Sequence, residues 1–238
     1  MPSARIRLYP PRSGRARPAY TVIAALALLG ALALTGCGKA QPGTAAYVGD
    51  TRYTESQVDD LVEEIQRSNP DSQPSEPRGW VLARLVLGDL ARRAVAAKSI
   101  DVPDARYDDN AQRLGLPADS KLVRLRAEFD AVANALVTNV QPVSPTDDDL
   151  REIWEALRKD PRLVPGTRYE DIVDALRADS GVPIALGVRK ALREEAEKID
   201  VVVNPVYRPL IVNLGIGDAP LPMLIGDDAG FVSDLATG

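Results

Sequence analysis

The chain has 238 residues, with 29 basic and 34 acidic side chains, one cysteine and no histidine. Without histidine it lacks the commonest general base near neutral pH, the commonest metal ligand and the usual partner of a Ser or Cys nucleophile, so a non-enzyme without metal or cofactor is expected. A single cysteine excludes an internal disulfide, and stability must come from packing.

At the N-terminus five arginines (Arg5, Arg7, Arg12, Arg15, Arg17) and no acid precede an apolar run from Tyr20 to Ala33, the layout of a secretory signal. At about 14 residues the run falls short of the roughly 20 that cross a hydrocarbon core, which disfavours a transmembrane anchor. Directly behind it, Leu34-Thr35-Gly36-Cys37 resembles the bacterial lipobox. That resemblance implies that residues 1–36 are a lipoprotein signal peptide and that the Cys37 thiol carries a diacylglyceryl group. It also places the mature protein on the extracytoplasmic face of the cell membrane. An ordinary secreted protein with a free cysteine is the competing reading. Two acyl chains meet the two-signal threshold for stable anchoring.

Removing residues 1–36 takes five of the 29 basic residues and leaves 24 against 34 acids, a net charge of −10. Such an acidic body argues against a nucleic-acid partner, and on an anionic membrane surface the lipid must do the anchoring.

Gly38 to Thr44 completes a flexible tether over 37–44. Ala45 to Val48 reads as a strand, Gly49-Asp50 as a tight turn and Thr51 to Tyr53 as the return strand. Thr54-Glu55-Ser56-Gln57 is a capping box opening a helix with Val58, Leu61, Val62 and Ile65 on one face, stopped by Asn69-Pro70. After a polar 71–77 loop, Trp80 to Lys98 is apolar round much of its circumference. This predicts the central helix; a dimerisation helix would show the same breadth. A short helix begun at Pro103 ends at Gly115-Leu116-Pro117. Ser120 caps a longer one carrying Leu122, Leu125, Phe129, Val132, Leu136 and Val140.

Thr146 starts a further helix whose first turn holds Asp147, Asp148 and Asp149. Neighbouring side chains on a helix diverge by about 100° and do not converge on one cation, so the triplet reads as capping and dipole stabilisation. Two amphipathic helices follow, Tyr169 to Ala178 and Pro183 to Lys198, before a short Val201-Val202-Val203 strand. A lone hairpin is marginal, so this strand is expected to pair beside it and join the two ends of the domain. Residues 208–238, rich in Pro and Gly, read as an extended or disordered tail. The expected fold is mainly α, with six to seven helices and a two- to three-stranded β element over 45–207.

The order of strand, turn, capped helix, several helices and closing strand resembles the N-terminal chaperone module of the SurA and trigger-factor-related family, from about Ala45 to Tyr207. The resemblance is carried by Ala46-Tyr47-Val48-Gly49-Asp50 with Tyr53-Thr54-Glu55-Ser56-Gln57-Val58, and by Val201-Val202-Val203-Asn204-Pro205-Val206-Tyr207. Val206 and Arg208 stand where the family ending has Arg and Gly. In the isomerase members a parvulin domain is inserted at the position that here is Asp160 to Arg168, room for a loop and not for a catalytic domain.

The resemblance implies a membrane-tethered holder of unfolded or partly folded exported polypeptides, without prolyl isomerase activity. A structural or assembly lipoprotein with one dedicated cell-surface partner is the alternative. A carboxylate-based hydrolase is the remaining enzyme class, but Glu63, Glu64, Asp171, Glu194 and Glu195 read as solvated faces and as i,i+4 partners such as Glu194 with Lys198. No client-binding residue is assigned from the sequence.

Overall fold

A computed structural model describes residues 42–68, 76–160, 163–214 and 220–225. The expected signal peptide, Cys37 and most of the tether lie outside the described residues, as do Asn69-Pro70, nearly all of the 71–77 loop and residues 226–238. The chain divides between Ala40 and Gln41, and the architecture below is that of the second unit.

Strand β1 (Thr44–Val48) turns through Gly49-Asp50 into β2 (Thr51–Thr54), with Val48 opposite Thr51. Gly49 supplies the turn's positive φ of 59°, which a side chain would disfavour. On the other edge of β1 lies β3 (Val201–Val203), antiparallel, with Val48 opposite Val201 and Ala46 opposite Val203. The sheet order β2-β1-β3 therefore joins the two ends of the chain, as the marginal stability of a lone hairpin predicts.

Helix α1 (Glu55–Ser68) opens on the expected capping box: the Gln57 amide donates to Thr54 Oγ1 at 3.2 Å and the Thr54 amide donates to Gln57 Oε1 at 2.8 Å. Helix α2 (Pro77–Ala97) is central. Val81, Leu82, Val86, Leu87, Leu90 and Ala94 are buried around it, because it packs on α1, β1 and three elements introduced below.

Helix α3 (Tyr107–Leu114) starts later than Pro103 and ends on left-handed Gly115. Helix α4 (Lys121–Asn139) is capped by Ser120, whose hydroxyl accepts from the Val123 amide. Helix α5 (Asp147–Leu157) begins with Thr146 and Asp149 capping one another. Helices α6 (Tyr169–Ala178) and α7 (Gly181–Ala196) complete the α layer. Seven helices and a small antiparallel sheet among the described residues match the expected fold class.

The 208–238 tail is not as expected. Leu210–Asn213 forms β4 and pairs antiparallel with β5 (Pro222–Ile225). Leu210, Val212, Leu221, Met223 and Ile225 are buried, and β4 packs on α2. The hairpin is held at its loop end by Leu214 N donating to Leu221 O (2.9 Å) and Leu221 N donating to Asn213 Oδ1 (3.0 Å). Two four-residue strands are too short to produce a sustained period, and the surrounding Pro and Gly outweighed the buried-exposed alternation of Leu210 to Asn213.

The core has two parts. The larger gathers the three-stranded sheet, α1, α2, α4, the C-terminal half of α7 and the β4-β5 hairpin. The smaller gathers Leu150, Ile153, Leu176, Val182, Ala185, Leu186 and Leu221 from α5, α6, α7 and the hairpin. Helix α7 spans both, and at the crossing Gly187 lets the backbone of Gln141 come so close that a Cβ would collide with its carbonyl oxygen.

Candidate functional site

Helices α2, α4 and α7 do not close completely against β4. They leave an open cleft of about 350 Å³ whose walls include Leu87, Phe129, Val137, Leu192 and Val212. Its size lies at the lower end for ligand sites, room for a few side chains.

Arg84 forms part of the rim. Its guanidinium carbon lies 4.7 Å from the centre of the Trp80 ring and 4.8 Å from that of Phe129. Trp80 precedes Arg84 by one helical turn, so their stacking is local; Phe129 arrives from α4. Among the described residues Arg84 makes no ion pair and no hydrogen bond, whereas its neighbour Arg126 is held by Asp130 at 3.1 Å. Burial pushes the Arg84 guanidinium below its ordinary value, Arg126 acts in the same direction and Asp130 opposes them. A half-desolvated cation held against two rings keeps its N–H donors for hydrogen bonding. Chemically, the rim offers charge-assisted hydrogen bonds to an oxyanion beside an apolar wall.

Asn134, exposed on α4, lines this cleft and also a neighbouring polar groove of about 530 Å³, lined by Asp104, Arg106, Asp109, Arg113 and Asp130 among others. The groove's charges are largely internally paired, Arg106 with Asp109 at 3.9 Å and Arg113 with Asp130 at 3.8 Å.

The residues that carry the family resemblance lie elsewhere and fasten the chain ends. Asn204 donates from its amide group to Thr44 O (3.0 Å) and Glu55 Oε1 (3.2 Å), and its Oδ1 accepts from Val206 N. Tyr207 donates its hydroxyl to Glu55 and accepts from Arg78, which also pairs with Glu55 and Asp59. Val206, where the family ending has Arg, is 83% exposed and joins this network only through its backbone amide.

The carboxylates considered for hydrolysis have separate partners. Glu64 accepts from the amides of Lys121 and Leu122 and so caps α4, where a solvated face was expected. Glu194 pairs with Lys98 at 3.1 Å, not with Lys198, which pairs with Glu195 at 2.6 Å. Asp171 is held by Arg168, whose hydrogen bonds and charge pull its carboxyl below the usual range. Glu63 pairs with Arg67. Of the aspartate triplet, Asp149 caps α5 and Asp147 pairs with Arg177, and no metal-ligating cluster occurs among the described residues. Cys37, the expected lipidation site, lies outside the described residues, and among them no helix is long and apolar enough to cross a membrane.

Sequence reasoning missed the cleft and Arg84. Trp80 and Arg84 one turn apart were the available signal, but the lack of an acceptor is a tertiary property that no spacing reveals. Comparison with protein-family models, curated proteins and solved structures finds no match to this chain.

Proposed function

We propose that the protein is an extracytoplasmic lipoprotein, anchored through Cys37, that holds unfolded or partly folded exported polypeptides in the cleft between α2, α4, α7 and β4. The observation that carries the reading is the open apolar cleft itself, about 350 Å³ with a charged rim. The resemblance to the SurA-type module and the lipobox behind the apolar run support it. The cleft admits a short apolar stretch of a client, not a folded body. A net charge of −10 on the mature chain biases encounter toward basic clients, an attraction that weakens as salt shortens the Debye length from about 10 Å at 0.1 M.

The reading includes no prolyl isomerase. Residues 158–168 between α5 and α6 leave no room for an inserted domain, and the chain has no histidine for a parvulin-like polar cluster.

A second reading, one dedicated partner at the cell surface, is favoured by the scatter of exposed large apolar residues. Val102, Tyr107, Val164, Val206 and Ile211 lie on separate elements and form no broad capture surface. Client breadth separates the two readings. Suppressed aggregation of several unrelated denatured proteins, with no acceleration of cis-to-trans proline exchange in a peptide, is the expected result; one stoichiometric partner supports the second reading. Fatty-acid labelling that disappears in Cys37→Ala is expected for the anchor, and an unmodified Cys37 in the exported protein contradicts it.

A further inference from the structure

We infer that the cleft selects an acidic side chain flanked by apolar residues, within an extended stretch of polypeptide, with Arg84 as the residue that reads the carboxylate. The inference rests on the proposed polypeptide-holding function and specifies its ligand.

Charge complementarity carries it. Among the described residues Arg84 is a cation without a hydrogen-bond acceptor, half removed from water and set against Trp80 and Phe129 at the edge of an apolar wall. Beside it Arg126 and Arg113 share the single carboxylate of Asp130, at 3.1 and 3.8 Å, and that carboxylate also acts on Arg84. Arg84 thus stands in a locally cationic surrounding on a protein whose mature chain is strongly acidic. The contacts with two rings restrict the guanidinium, so less rotamer freedom remains to be lost when an oxyanion binds.

An internal segment fits better than a chain terminus. The apolar cleft and the polar groove meet at Asn134, so a chain seated in the cleft has a continuing path. The exposed Asn134 amide can both donate to and accept from a passing main chain. Apolar client side chains then face Leu87, Val137 and Leu192 while the carboxylate turns to Arg84. Encounter and seating consequently favour opposite charges: the acidic body attracts basic chains over distance, and the cleft retains those with an acid beside an apolar residue.

The test uses the purified full chain reconstituted in neutral lipid vesicles and two fluorescent peptides, identical apolar sequences with a central Glu or a central Gln. The Glu peptide is expected to bind about tenfold more tightly. Arg84→Gln should bring that ratio to about one, with a melting temperature within a few degrees of the wild type showing that the fold is intact. Arg84→Lys, which keeps the charge but loses the planar donors, should fall between. Equal binding of the two peptides by the wild type overturns the carboxylate preference and leaves polypeptide holding in place. Absence of binding by either peptide overturns both. Peptide binding that emerges only when residues 226–238 are deleted overturns the external ligand in favour of the chain's own C-terminal segment.

Discussion

Tyr53 on β2 donates its hydroxyl to Asp89 Oδ2 on α2 at 3.2 Å, in a buried contact between the sheet and the central helix. Asp89 also pairs with Arg93 at 3.2 Å, and Arg93 reaches the Val48 carbonyl at 3.3 Å. Two strands are thereby tied to one helix, β2 through Asp89 and β1 through Arg93, which pairs with Asp89. Burial first, and the charge of Asp89 second, push the Tyr53 hydroxyl from 10.0 up to about 12.

That shift makes stability depend on pH in the alkaline range. Above pH 10 the unfolded chain loses the Tyr53 proton while the folded chain keeps it, so the native state is progressively destabilised until the pH passes the folded value near 12. The loss is roughly 1.4 kcal/mol per pH unit within that window and absent below it. Tyr53→Phe should cost about 1 kcal/mol at neutral pH, by removing one partner of Asp89, yet reduce the alkaline slope. Urea melts of both proteins at about pH 9 and about pH 11 check this, and parallel losses in the two would contradict it.

Arg189 on α7 is only 5% exposed and donates to Asp149 and Glu152 of α5, each at 2.5 Å. Arg189→Met leaves two mostly buried carboxylates without their cation and should cost about 3–5 kcal/mol. Arg158→Met breaks only the exposed pair with Glu155 and should cost less than about 1 kcal/mol. Denaturant midpoints at constant m separate the two cases.

At Gly187 a methyl group has no room, because the Gln141 carbonyl lies in its path. Gly187→Ala should destabilise by about 1–3 kcal/mol through forced separation of α7 from the α4-α5 connection. Gly88→Ala meets only ordinary contact, 3.5 Å from Phe129, and should be neutral or slightly stabilising because alanine favours the helix interior. Thermal melts of the two variants provide the comparison.

Ending the chain after Tyr207 removes the buried Leu210, Val212, Leu221, Met223 and Ile225. At about 1.5–3 kcal/mol for each buried side chain, the loss rivals the roughly 5–15 kcal/mol that holds a domain together. A chain ending at Tyr207 should therefore fail to show cooperative thermal unfolding under conditions in which the full protein unfolds cooperatively. Cooperative melting of the Tyr207-terminated chain at the full protein's temperature would show the hairpin to be dispensable.

How much was legible in the sequence follows the range of the interaction. The Thr54-Gln57 box, the Ser120 cap and the Thr146 helix start are decided within four residues and were read directly. The pairing of β3 with β1 was also legible, because a lone hairpin needs a neighbour and few strands were available. The β4-β5 hairpin was not, since β4 gains stability from burial against α2 and β5 from packing on α5, and not from local pattern. Glu64 resembled any solvated acid until α4 brought two amides to it. Arg84 likewise resembled a surface arginine; what distinguishes it is the Phe129 ring brought against it from α4 and the absence of a carboxylate ion pair among the described residues.

The central claim is that the cleft between α2, α4, α7 and β4 holds unfolded polypeptide. It is tested most directly by light scattering of denatured clients in the presence of the wild-type protein or of Ala133→Trp, which places a large ring in the cleft wall. The wild type should delay aggregation, and Ala133→Trp should lose most of that effect while its melting temperature stays within a few degrees. Equal suppression by the two proteins, or none by the wild type across several clients, would contradict the account.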